Sequence, residues 1–287
     1  MVRRVSLVIL ASLVTLLITH SDASGAVDLQ YKFKQGEVVR HKIVVDMDLA
    51  MAISAPDAPQ IPQMHVKMVG IIKQKTGRML PDGDVELVDT IESMTMTIGN
   101  QTKKLPLDKV PPMTGLVSKY GPSNHVTNPG AQAGMLSALQ LGSSGMTQYI
   151  RLPSQPLNVG DYWTDTTDLP IGISVQQRSK LAAEKSKLGS YMVAVIKQDV
   201  SGNLDIPIGQ LVALAGQVAD AKLPVDGNIK ALVLGDVSTF FSVERGRIIR
   251  SEGTLDMQMD MDVTDGTQGG QIAIRAHLNF SVNLASK

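Results

Sequence analysis

Strict alternation of apolar and polar side chains governs the clearest stretches of this 287-residue chain, and it limits the fold more than any other feature. In residues 255–263, Leu255, Met257, Met259, Met261 and Val263 share one parity, while Asp256, Gln258, Asp260 and Asp262 share the other. Residues 45–53 repeat the pattern, setting Met47, Leu49, Met51 and Ile53 against Asp46, Asp48, Ala50 and Ala52. Successive side chains of a strand point to opposite faces, so both segments read as half-buried strands; a helix would scatter the same residues around its circumference. Turn chemistry lies between such runs at Pro81-Asp82-Gly83, Asp226-Gly227-Asn228, Glu244-Arg245-Gly246 and Asp265-Gly266. Pro presets φ and Gly tolerates positive φ, so these points join consecutive runs as antiparallel hairpins. The expected pairs are 64–75 with 84–98, 171–185 with 191–200, and 237–243 with 247–263.

The expected fold class is therefore all-β: long antiparallel strands in a curved, half-open sheet, with one or two short helices. The helix candidates are 130–141, which follows Asn128-Pro129, and 208–221, where Ile208, Leu211, Val212, Ala215, Val218 and Ala219 recur at helical spacing. Residues 179–188 carry Ala and Lys that favour a helix, yet the turn-like Gly189-Ser190 and the β run after it assign them to a strand. A short likeness between Gln35-Gly36-Glu37-Val38 and Val159-Gly160-Asp161-Tyr162, each opening long alternating runs, divides the chain into two half-repeats, 27–145 and 146–287, within one β-rich domain.

The first residues read as an address. Arg3 and Arg4 precede an apolar run from Val5 to Ile18, and small residues at Ser24 and Ala26 suit signal cleavage after Ala26, with Ala23 the alternative. Fourteen apolar residues are too few for a hydrocarbon core of roughly 30 Å, so segment 1–26 is expected to be removed and the mature chain to hold no transmembrane segment. Cysteine is absent, which removes disulfides, thiolate metal sites, cysteine nucleophiles and lipid attachment. Loss of Arg3, Arg4 and Asp22 changes 27 basic and 27 acidic side chains to 25 and 26. A chain so nearly neutral has no electrostatic footprint for nucleic acid. The expected location is the periplasm or the extracellular space.

Gln35-Gly36-Glu37, the run Leu157-Asn158-Val159-Gly160-Asp161-Tyr162-Trp163, and the late Phe240-Phe241-Ser242-Val243-Glu244-Arg245-Gly246-Arg247 followed by the Met-alternating strand resemble a family of exported bacterial β-rich proteins without an assigned activity. The long strands are similar in architecture to those of periplasmic lipoprotein carriers, a resemblance that implies a curved sheet closing around acyl chains.

Motifs for catalysis are missing. His41, His65, His125 and His277 stand isolated, with no zinc-binding helix spacing, and Gly142-Ser143-Ser144-Gly145 lacks the spacing of a nucleophile elbow. No phosphate-cradling glycine motif occurs, and no cofactor or metal is implied. Asp256, Asp260 and Asp262 form the one acidic cluster; the residue six places after Gly266 is Ile272 where a calcium loop needs Glu, so a solvated face is the better reading. Aromatics at 3% leave little for a sugar-stacking cleft or for the girdles of an outer-membrane barrel.

Methionine stands out. Met94-Thr95-Met96 and Met257-Gln258-Met259-Asp260-Met261, with Met47 and Met51, place flexible thioethers on strand faces. Such a face suits an apolar ligand of variable shape, or it forms a plain core. The expected function is a non-catalytic envelope protein that binds an apolar molecule such as a lipid or acyl chain through Met47, Met51, Met94, Met96, Met257, Met259 and Met261. The alternative is a structural protein whose partners are other envelope proteins; Cu(I) handling by thioethers and hydrolysis by scattered acids rank lower.

Overall fold

Alternating segments become strands wherever the chain is described. A computed structural model describes residues 25–54, 61–107, 110–122, 149–168, 174–207, 228–264 and 269–285. The strands are β1 (Val38–Ser54), β2 (Met64–Met79), β3 (Val85–Ile98), β4 (Gln101–Lys104), β5 (Met113–Ser118), β6 (Gly121–Pro122), β7 (Tyr162–Asp168), β8 (Ser174–Leu188), β9 (Tyr191–Pro207), β10 (Asn228–Ser242), β11 (Arg247–Thr264) and β12 (Gly269–Leu284). All pair antiparallel in one open sheet of order β6-β5-β3-β2-β1-β12-β11-β10-β9-β8-β7, with β4 paired to the far half of β3. Two meanders thus meet at the centre, where β1 and β12 pair from His41 opposite Leu284 to Ser54 opposite Gln271. The three hairpins expected from the sequence are β2–β3, β8–β9 and β10–β11, and residues 179–188 lie in β8.

No helix occurs among the described residues. The helix candidates 130–141 and 208–221 lie outside them, as does most of segment 1–26; Ala26 is exposed immediately before Val27, which bridges Leu157. Gly36 and Gly160 both adopt positive φ, 78° and 102°, just before β1 and β7, yet β1 lies at the sheet centre and β7 at its edge.

Register assigns the faces. Residues directly opposite one another in neighbouring strands share a face, and following those pairs from β3 to β10 gathers the larger apolar side chains on one side and most charged ones on the other. One end of the apolar face is covered by residues 27–36 and 149–157. Val27 and Leu157 exchange two backbone hydrogen bonds, of 2.7 and 2.9 Å. Further along, the Tyr31 amide donates to the Lys119 carbonyl (2.8 Å), that of Lys32 to Gly246 (2.9 Å), and that of Gly36 to Thr76 (2.9 Å). Leu29, Tyr31, Ile150 and Leu152 of these segments pack against Leu181, Ala194, Ile196, Phe241 and Ile248 of the sheet. Tyr31 meets Phe241 edge-on at 5.4 Å between ring centroids and Tyr149 at 5.0 Å. No methionine belongs to this cluster.

Gly253 lets β10 and β11 approach closely. A Cβ there would stand 2.2 Å from the Asp236 carbonyl oxygen and 2.9 Å from the Val237 Cα, so no larger residue fits without moving backbone.

Candidate functional site

Away from the covered end, the apolar face changes composition. Met96 lies opposite Met68, and Met68 opposite Val45. Further rows run Met64, Leu49, Ala276, Met257 and Met51, Ile274, Met259 across β2, β1, β12 and β11. Met47 lies opposite Leu278, Met261 opposite Ile272, and Met94 opposite Gly70. Register therefore brings all seven sequence-selected methionines, Met47, Met51, Met94, Met96, Met257, Met259 and Met261, to a single face. Met64 and Met68 join them; the alternation of Met64, Val66 and Met68 was the sequence signal for both.

Burial falls along this face. Met68 and Met94 are buried, whereas Met47, Met51, Met96, Met257, Met259 and Met261 are half-buried. Every extensive contact between strands is between sheet neighbours, so among the described residues no second layer of strands packs on the methionines. The absence of a Cβ at Gly70 makes room for Met94, whose Cε would otherwise be met at 3.3 Å. Unbranched thioethers with three soft torsions offer a polarisable surface that repacks around different shapes.

On the opposite, polar face a row of pairs crosses four strands. His65 on β2 faces Asp48 on β1, Asp48 faces His277 on β12, and His277 faces Asp256 on β11. His65 Nδ1 lies 3.0 Å from Asp48 and its Nε2 3.3 Å from Asp46; His277 Nδ1 lies 2.7 Å from Asp256. The hydrogen bond to Asp48, with the charge of Asp46, holds the His65 pKa above its ordinary value. Asp260 receives hydrogen bonds from Gln258 (3.1 Å) and Arg275 (3.0 Å), which lower its pKa, and Asp262 accepts one from Gln271 (2.9 Å). Asp256, Asp260 and Asp262, read from the sequence as an acidic cluster, thus lie on a solvated, hydrogen-bonded face, with Arg275 paired to Asp260. A depression of about 300 Å³ there is lined by Asp48, Leu234, Asp256, Arg275 and His277 among others. No group of three His, Asp or Glu side chains is arranged to hold a metal ion among the described residues.

The covered end holds a polar network that the sequence did not reveal. Tyr149 donates to Gln74 Oε1 (2.5 Å), and Gln74 Nε2 donates to Asp89 Oδ1 (2.9 Å). Desolvation raises the Asp89 pKa to about 6 against the hydrogen bond from Gln74. His41, buried on the same face of β1, is pushed down to about 4 by desolvation and by the nearby Arg247 charge. Arg247 pairs with Glu37 at 2.8 Å. Tyr31, its pKa raised by burial, donates to the Ile150 carbonyl (3.1 Å) and accepts from the Ile150 amide (2.9 Å). These side chains come from segments far apart in the chain, and no local pattern announces their meeting. Tyr149 to Gln74 and Ile150 to Tyr31 fasten residues 149–150 to β2 and to residue 31, while Arg247 to Glu37 ties β11 to the residue before β1.

No helix among the described residues is long and apolar enough to cross a membrane. No protein-family model matches the chain, and no curated protein matches it. Among solved structures, DynF of the dynemicin biosynthesis pathway of Micromonospora chersina aligns at 8% identity and a TM-score of 0.25, covering 93% of this chain and 88% of that one. A structure from work on the asymmetric conductivity of engineered proteins aligns at 7% identity and a TM-score of 0.22, covering 85% of this chain and all of the other. Likeness at this level carries no argument about fold or function.

Proposed function

We propose that this chain is an exported, non-catalytic protein of the cell envelope that binds an apolar molecule, such as a lipid or acyl chain, on the methionine face of a curved sheet. One observation carries the reading: thioethers are concentrated where the apolar face is half-buried and, among the described residues, no strand packs on it, while the packed cluster that includes Leu29 and Tyr31 contains none. A core selected only for close packing would use mainly branched and aromatic residues, as that cluster does.

A structural role with envelope-protein partners is the second reading, favoured by Leu232 and Leu234, which are 37% and 48% exposed on the polar face. Native mass spectrometry of the protein released gently from its envelope separates the two. Bound apolar mass, displaced by an apolar dye, is expected. A bare chain that also takes up no dye overturns the binding reading.

A further inference from the structure

Among the described residues the apolar face carries one charge in its uncovered half, and its position bears on the ligand class. Between β9 and β4, the described residues placed on this face in the uncovered half are apolar or uncharged save one. That residue is Lys103, on β4, directly opposite Met96, which in turn is opposite Met68. Lys103 is exposed and has no ion-pair partner among the described residues. Beside it Ile98, 44% exposed, continues the apolar surface to the edge.

Resting on the apolar-ligand reading above, we infer that the methionine face takes a single-chain anionic amphiphile, a long-chain carboxylate, whose head pairs with the Lys103 ammonium and whose tail crosses the thioether rows towards Met257 and Met259. One cation without an ion pair among the described residues complements one carboxylate. The row through Lys103 runs Met96, Met68, Val45, Phe280 and Gly253, so five strand spacings of about 4.8 Å and four residues along β11 set Met257 roughly 27 Å from Lys103, the reach of a lysine side chain joined to a long extended acyl chain. An ammonium at the rim keeps its hydration until the carboxylate arrives, so the head remains wet while the tail is buried.

The test compares palmitate with cetyl alcohol, which has the same tail and no charge, in dye-displacement titrations of the full chain. Palmitate should bind roughly tenfold more tightly, as one charge-assisted contact requires, and Lys103→Gln should abolish that preference without weakening the alcohol. Lys230→Gln, on the polar face, serves as the charge control and should leave the preference intact. Equal binding of the two ligands, or a palmitate preference that survives Lys103→Gln, overturns the assignment while leaving an apolar surface in place. Failure of both ligands and of the dye overturns the apolar-ligand reading itself.

Discussion

The two ends of the apolar face follow the same two-residue rhythm and are built from different side chains. At one end residues 27–36 and 149–157 lie over Phe241, Ile196 and Leu181, which are fully buried. At the other, Met51, Met257, Met259 and Met261 are only half-buried. Branched and aromatic residues have few rotamers and fill a fixed volume, whereas methionine adapts to whatever lies against it. Under the proposed function, the contrast separates a region that stabilises the sheet from one that binds.

The largest expected effect breaks the covered end. Phe241→Ala removes a fully buried ring that stacks edge-on with Tyr31, and should cost about 3–5 kcal/mol in urea unfolding. Met259→Ala at the uncovered end should cost about 1 kcal/mol, since a half-buried side chain leaves little cavity, while reducing apolar dye uptake. Equal stability losses at the two sites would erase the distinction between the ends.

Proton linkage sharpens the same comparison, because the strongly perturbed carboxyl and imidazole both lie at the covered end. The folded pKa of Asp89 is raised, so its contribution falls as pH rises from about 4 to about 6. His41 is depressed to about 4, so its contribution is complete above about 6.5 and is lost as pH falls towards 4. The two slopes oppose each other, and stability should be nearly flat across that window. Asp89→Asn keeps an acceptor for Gln74 and should stabilise by about 2 kcal/mol above pH 6.5, a figure discounted for the residue's partial exposure, with no gain at pH 4. Its stability should then rise with pH between 4 and 6.5, exposing the His41 slope. A flat difference between variant and wild type would show that Asp89 is not desolvated.

The smallest effect belongs to the polar face. Asp256→Asn leaves an exposed pair with His277 weakened, and should change stability by less than about 0.5 kcal/mol.

Much of this division could be read from alternation. Leu255 to Met261 declared both a strand and its apolar face, and Gly83 and Gly246 marked two of the hairpins. The pairing of β1 with β12 could not be read, because it joins residues more than 200 positions apart and nothing local encodes the partner. The convergence of Met47, Met96 and Met257 on one face follows only from that long-range register. Lys103 was equally silent: in an exposed four-residue strand it looks like ordinary edge protection until Met96 is seen opposite it. The His-Asp row and the Tyr149–Gln74–Asp89 network likewise depend on segments the sequence keeps apart.

The central claim is that the uncovered methionines form the binding surface, and isotope-labelled methionine methyl NMR during a palmitate titration tests it directly. Methyl signals of Met51, Met96, Met257, Met259 and Met261 should shift together and saturate, while those of Met79 and Met192, 53% and 55% exposed beside the β2–β3 and β8–β9 turns and outside the thioether rows, stay still. Shifts confined to Met79 and Met192, or no saturable shift at any methionine, would contradict the account.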